Sequence, residues 1–401
     1  MVTAQRQGGE VTVAGYLPVL EDLPDPSGAR VLLRADLNVP LRTSPEGTVE
    51  VADDFRIRAL LPTLSWLVDR GARVTVCSHL GRPKGKADPA LSMAPVRQRL
   101  QELAPSVKVL ENLRFDPGEE ANDPAFADRL VRGQDLYVND AFGTVHRAHA
   151  SVVGPPSWLP SAAGRLLARE VSVLSQLIEA PARPFVAVVG GAKLADKLGV
   201  LEALSRKVDV LMIGGGMCFT FLAALGHDVG SSLVDLDHLE SCRRLLESGR
   251  RIVLPADVVA LSPGSALGPD APAAGEIRCF ARDLPRGWTG CDVGPETSLG
   301  FAHEIGRAAT ALWNGPMGVF EDERFSAGTR GMAAALSGCP GFTVVGGGDT
   351  TAALRAYGME DQIDHVSTGG GAMLELIEKG DLPGLAALRA SHARRMHSGT
   401  G

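Results

Sequence analysis

Aromatic side chains are scarce in this chain of 401 residues, with Phe, Trp and Tyr together at 5%. Core packing must therefore rest on Val, Leu and Ala. Cysteine is sparse as well: Cys77, Cys218, Cys242, Cys279, Cys291 and Cys339 include no CxxC pair, and a chain of this size does not depend on disulfide staples. Free thiols in a reducing cytoplasm are expected. No charged stretch followed by an apolar run opens the sequence, so no signal peptide is expected. An uncharged stretch at residues 210–226 falls short of the ~18–20 residues a membrane span needs, and glycines interrupt it. No membrane partner is expected. Positive charge is not in excess either: 40 basic against 47 acidic residues give a formal net charge of −7. That argues against nucleic acid as a partner, because such binding relies on broad phosphate neutralisation.

Two nucleotide motifs are missing. GxxxxGK[ST] does not occur, and its nearest imitation, GRPKGK at Gly81, has the wrong spacing and no Ser or Thr after the lysine. The triglycine segments do not fit GxGxxG. Neither a P-loop hydrolase nor an ordinary dinucleotide dehydrogenase is supported.

What is present is length for two domains, 47 glycines and 26 prolines, and short β-branched runs alternating with helical patterns. In the first half the runs are VLL at Val31, VTVCS at Val74, VKVL at Val107 and LYVND at Leu136. Between the first two, Ile57, Leu60, Leu61, Leu64 and Leu67 follow the 3.6-residue period, and Gly71 is placed to close the helix. Such alternation predicts an α/β fold with mostly parallel sheets covered on both faces. In the second half, apolar segments at 185–191, 210–216, 342–348 and 365–371 each run into glycines. Beyond the carboxyl ends of parallel strands, glycines let backbone N–H groups approach a phosphate closely. A helix-like run at 162–180, ended by Pro181 and Pro184, is the expected joint, and 262–276 reads as a surface excursion.

Charge collects at the strand ends of the first half. Arg34, Arg82, Arg114 and Arg147 follow strand-like runs, Arg56 opens a helix, and His79, His146 and His149 lie among them. Guanidinium groups gathered at that edge suit a small polyanion, although each alone could be a solvated or ion-paired surface residue. Asp36 and Asn38 could accept from a substrate hydroxyl. HRAH lacks a third ligand at metal spacing. In the second half, Lys193 and Lys197 at i, i+4 would share one helix face near a phosphate, or be ordinary surface lysines. Asp349, directly after Gly346, Gly347 and Gly348, could face a Mg²⁺ ion or cap the next helix.

Together the motifs resemble those of phosphoglycerate kinase, over residues 31–385. They are RADLNVPL at Arg34, DDFRIRA at Asp53, SHLGRPKG at Ser78, ENLRF at Glu111, NDAFGTVHRAHAS at Asn139, GGAKLADK at Gly190, GGGMCFTFL at Gly214, WNGPMGVFE at Trp313, GGGDTTAAL at Gly346 and HVSTGGGAMLEL at His365. The resemblance implies two Rossmann-like domains with parallel sheets, joined by a long interdomain helix, with a cleft between them. Its expected bounds are 1–165 for phosphoglycerate binding, 166–184 for the helix and hinge, 185–378 for nucleotide binding, and 379–401 returning to the first domain. It implies a cytoplasmic, monomeric enzyme moving a phosphoryl group between 1,3-bisphosphoglycerate and ADP to give 3-phosphoglycerate and ATP, with Mg²⁺ carried on the nucleotide.

By motif, Asp36, Asn38, Arg56, His79, Arg82, Arg114 and Arg147 are the implied substrate contacts. Gly191, Lys193, Lys197, Gly215, Gly216, Gly290, Asn314, Pro316, Glu321, Gly346, Gly347, Gly348, Asp349 and Thr350 are those to the nucleotide, with Asp349 at the metal and Glu321 near the ribose. Arg56, Lys193 and the backbone at Gly348, Gly370 and Gly371 are the implied catalytic groups. Ala35 and Leu37 replace the family's usual Val and Phe, which alters packing and spares the polar residues. The N-terminal extension to about Gly28 and the tail SHARRMHSGTG match nothing in the pattern. The rivals are a related enzyme acting on another acyl phosphate and a non-catalytic protein retaining the fold. Loss of Arg56, Lys193 or Asp349 would favour the latter, and all are present.

Overall fold

Runs of Val, Leu and Ile with no polar alternate become strands that must be covered on both faces, and they build a parallel sheet in each half of the chain. The structure is a computed structural model describing residues 11–12, 15–45, 47–272 and 275–398. The chain divides into two compact units: one holds residues up to Gln176 and again from Lys379 onward, the other Leu177–Glu378.

The first unit contains β1 (Arg30–Ala35), β2 (Arg73–Cys77), β3 (Lys108–Val109), β4 (Leu136–Asp140) and β5 (Ser161–Ala163), in the order β3-β2-β1-β4-β5. Every pair is parallel. Helix α1 (Phe55–Val68) buries Ile57, Leu60, Leu64 and Leu67 along one stripe, and Gly71 at φ +78° turns the chain back into β2.

The run expected to be helical from 162 begins as a strand. Ser161, Ala162 and Ala163 pair with Tyr137, Val138 and Asn139, and only then does α2 (Arg165–Glu179) start. Alanine favours helix, but a ladder partner and full burial outweigh that preference. Gly164 makes the switch possible: a Cβ there would stand 2.3 Å from Asp140 Oδ1, which accepts from Leu167 N at 3.0 Å.

Described segments near both termini attach to this edge. Ala163 N donates to Pro18 O at 2.8 Å, and Leu17 and Leu20 are buried. On the final helix, Pro383–Ser398, Ser391 Oγ donates to Leu159 O at 2.9 Å. Arg394 and Arg395 donate to Pro156 O and Asp22 O, each at 2.6 Å. The outer parts of the expected extension and tail, 1–10 and 399–401, lie outside the described residues.

The second unit contains β6 (Phe185–Val189), β7 (Val210–Ile213), β8 (Ile252–Val253), β9 (Val258–Leu261), β10 (Ile277–Phe280), β11 (Thr289–Val293), β12 (Thr310–Asn314), β13 (Phe342–Gly346) and β14 (His365–Val366). Six form a parallel sheet in the order β8-β7-β6-β12-β13-β14. The other three make an antiparallel sheet, β10-β9-β11, which the strand pattern did not announce. Its helices include α3 (Leu198–Ser205), α4 (Pro295–Ile305), α5 (Ala327–Ser337), α6 (Gly348–Ala356) and α7 (Gly370–Lys379). Its core gathers around Trp313, Phe301 and Leu336, all but closed to solvent. No helix among the described residues is long and apolar enough to cross a membrane.

Candidate active site

In the first unit, three strand-end loops are laced together. Leu37 N donates to Ser78 Oγ at 2.9 Å, and Gly81 N donates to Asn38 Oδ1 at 2.8 Å. Asn112 Nδ2 donates to Leu80 O at 2.7 Å, and Arg114 Nη1 donates to Gly81 O at 2.8 Å. These bonds fix where Asp36, His79 and Arg114 stand. Arg56, in the first turn of α1, donates from Nη1 to Asp36 Oδ2 at 2.5 Å. Burial works to raise the Asp36 carboxyl, but Arg56 first among the nearby charges outweighs it and holds the group below its ordinary value.

The positive charge here belongs to arginine. Burial pushes the His79 imidazole well below its ordinary pKa, and burial with the Arg114 and Arg147 charges takes His149 down to about 4. Both rings are neutral at pH 7. Arg114 is 5% exposed; burial, with repulsion from Arg147 and Arg34 and partial relief by Glu120, loosens its hold on its proton. An anion placed between these guanidinium groups would relieve that repulsion. Arg82 and Arg147 are exposed on the rim.

Arg34 differs from what the strand-end pattern suggested, because it lies within β1 and is closed to solvent. Its Nη1 donates to Ala35 O and its Nε to Ser151 Oγ at 2.8 Å, which in turn donates to the fully buried Glu119 at 2.6 Å. Glu119 is 3.8 Å from His149 Nδ1. This buried chain escaped sequence reading, since DPGEE looks like an ordinary acidic turn.

In the second unit, glycine turns interlock at the ends of β6, β7, β12 and β13. Gly191 N donates to Pro316 O at 2.9 Å, Gly215 N to Met317 O at 3.2 Å, and Asn314 Nδ2 to Gly346 O at 2.8 Å. Side chains cannot enter this lattice. A Cβ on Gly215, at φ +63°, would stand 2.4 Å from Gly191 N, and one on Gly370 would stand 2.4 Å from the Cα of Gly347. The Thr350 hydroxyl is committed to accepting from Gly315 N at 2.7 Å, and Gly290 N donates to Ser232 Oγ at 2.9 Å beneath the Phe219 ring.

The two lysines do not share a helix face. Gly191, at φ +94°, turns the chain into a loop, α3 starts only at Leu198, and Lys197 is its cap. Lys193 is exposed on the loop, while Lys197 turns inward and donates from Nζ to Gly190 O at 2.7 Å. Burial brings the Lys197 ammonium down to about 8, with Asp349 and Asp196 opposing. Asp349 and Gly348 are exposed in the first turn of α6, Gly216 lies beside Ala192, Gly371 is exposed in the first turn of α7, and Glu321 is exposed beyond Pro316. Among the described residues, no three His, Cys, Asp or Glu side chains gather to hold a metal. One exposed carboxylate beside glycine N–H groups fits a Mg²⁺ ion whose other ligands are phosphate oxygens and water.

The family model described as phosphoglycerate kinase matches residues 20–110 and 104–380. A phosphoglycerate kinase of Salinispora arenicola is 52% identical over 401 residues, covering 92% of this chain and 98% of that one. One from Frankia casuarinae is 51% identical over 396 residues, covering 90% and 97%. Among solved structures, phosphoglycerate kinase from Coxiella burnetii aligns with a TM-score of 0.82 at 37% identity, covering 93% of this chain and 99% of that one. The enzyme from Pyrococcus horikoshii aligns at 0.79 with 30% identity, covering 94% and 99%.

Proposed function

Because the chain belongs to the phosphoglycerate kinase family, and so is a kinase acting on phosphoglycerate with ATP and ADP, we propose that its two laced strand edges divide the substrates between them. The first unit takes the phosphoglycerate on Asp36, Asn38, Arg56, His79, Arg82, Arg114 and Arg147. The second takes the nucleotide on the glycine turns, Lys193, Lys197, Asn314, Pro316 and Glu321. Lys197 carries this reading: a half-buried ammonium among glycine turns, lowered by burial more than Asp349 and Asp196 offset, suits phosphate oxygens.

In the ATP-consuming direction, a carboxylate oxygen of 3-phosphoglycerate bonds to the γ-phosphorus as the bond to the β-phosphate oxygen breaks. The nucleophile is already an anion, so no general base is required and positioning with charge neutralisation dominates. Arg56 of the first unit and Lys193 of the second are the proposed sources of positive charge for the equatorial oxygens, and backbone N–H groups at Gly348, Gly370 and Gly371 add donors. Asp349 would hold a Mg²⁺ ion brought with the nucleotide, which would supply further neutralisation.

A coupled assay with 3-phosphoglycerate and Mg-ATP tests the whole reading. Steady turnover is expected. Turnover with another carboxylate but not this one, or nucleotide binding without turnover, would each overturn it.

Lys197 makes a second test. Phosphate oxygens favour its charged form, so nucleotide binding near pH 8 should draw up to about half a proton onto the protein, and affinity should fall as pH rises above about 8. Titration calorimetry of Mg-ADP in buffers of different ionisation enthalpy reads this directly. No proton uptake would place Lys197 away from the phosphates.

A further inference from the structure

The 315–321 loop is held from two sides. Toward the glycine turns, Pro316 O and Met317 O accept from Gly191 and Gly215. On the other side, Val319 N donates to Cys291 O at 2.9 Å and Met317 N to Thr329 Oγ1 at 3.0 Å. Between these two struts stands a carboxylate that neither sequence pattern nor the mechanism uses. Asp292, in β11, is 4% exposed. Its Oδ2 accepts from Gly328 N at 2.7 Å, in the first turn of α5, and its Oδ1 accepts from Val293 N at 2.9 Å. The carboxylate presses on two glycines: a Cβ on Gly318 or on Gly328 would stand 2.3 Å from Oδ1.

We propose that Asp292 is a positioning residue for nucleotide binding, setting the seat of the 315–321 loop through the Cα of Gly318 and the N–H of Gly328. The inference rests on the nucleotide reading of the second unit given above. Asp292 touches no substrate. Gly318 lies between Pro316 and Glu321, so a shift of its Cα carries both. Burying a carboxylate is unfavourable unless its oxygens are hydrogen-bonded, and a neutral side chain would fill the same space without that cost. Retaining the charge ties β11, α5 and the loop to one point.

Burial pushes the Asp292 carboxyl up to about 7, against the two backbone donors. The titratable groups in its field are the Cys291 thiol, raised to about 11, and the Tyr357 hydroxyl, also raised; neither ionises near pH 7. Arg330 stands over the Tyr357 ring at 4.9 Å, and the paired Asp322 and Arg324 act on Cys291 from the far end of the loop. Below about pH 7 Asp292 takes up a proton and the bonds to Gly328 and Val293 weaken. The seat loosens as pH falls.

The test is steady-state kinetics and Mg-ADP calorimetry on the full chain, from about pH 6 to about 8, with Lys197, half-charged at the upper end of that range, common to wild type and variant. For Asp292→Asn at pH 8, nucleotide KM and Kd should rise about tenfold, with kcat and the KM for 3-phosphoglycerate within about twofold. Wild-type nucleotide KM should rise as pH falls through about 7, and the variant should show no such step. Gly318→Ala, which crowds the loop off an intact carboxylate, should reproduce the nucleotide-specific loss and keep the pH step. If Asp292→Asn does not fold, Gly318→Ala and the wild-type profile decide. Equal losses toward both substrates, or unchanged nucleotide affinity in both variants, would overturn the role. A wild type that does not bind Mg-ADP would instead sink the functional reading.

Discussion

Replacing Arg56 by alanine should lower kcat about a thousandfold while leaving Mg-ADP affinity near the wild-type value. The guanidinium is one-third exposed and its partner, Asp36, belongs to the same unit, so its loss leaves the glycine turns of the other unit alone. Its positive charge matters most where the migrating group's equatorial oxygens carry the most charge. Arg56→Lys should recover little, because a single ammonium cannot bridge a substrate oxygen and Asp36 as a planar fork can. Coupled kinetics and ADP calorimetry separate the outcomes, and unchanged turnover would remove Arg56 from the chemistry. A stability cost accompanies the kinetic one. Asp36 has its pKa depressed in the folded state, so its contribution is present above the unfolded carboxylate value and is lost as pH falls through the lower folded one. Without Arg56 the buried carboxylate loses its main counter-charge, and thermal melts at neutral pH should show the loss that melts in strong acid do not.

The placement of Arg56 was legible in the sequence: an arginine opening an amphipathic helix after a strand end lies in the first turn of α1. The glycine-terminated strands were legible for a similar reason. Four apolar runs ending in glycine have few uses other than close backbone approach, and the bonds between Gly191, Gly215 and the 315–321 loop are that approach. What escaped were features fixed by distant partners. Ala162 and Ala163 read as helix until β4 offers a ladder and Asp140 demands a glycine at 164. Lys193 and Lys197 read as one helix face until the left-handed turn at Gly191 splits them. Glu119 and Asp292 resemble any other acidic residue locally, and only tertiary contact buries one against Ser151 and the other against Gly318. The antiparallel sheet of β9, β10 and β11 carries exposed residues along Ile277–Phe280, which hid it from a search for buried runs.

The two lysines differ in burial and in bonding. Lys197 is half-buried and bonded to Gly190 O, which under the proposed reading suits a phosphate contact already in the ground state. Lys193 is exposed on the loop, with no hydrogen bond or ion pair to another side chain among the described residues, and keeps the reach to follow a moving group. Lys193→Ala should therefore lower kcat by about two to three orders of magnitude with nucleotide KM changed less than about fivefold. Lys197→Ala should do the reverse, weakening nucleotide binding more than turnover. Equal and opposite assignments are excluded by one comparison: kcat and KM for both variants at pH 7, where Lys197 is still charged. A Lys193→Ala enzyme with normal kcat and raised KM would make both lysines ground-state binders. The equatorial charge would then fall to Arg56 and the backbone N–H groups of Gly348, Gly370 and Gly371, and Arg56→Ala would have to cost correspondingly more.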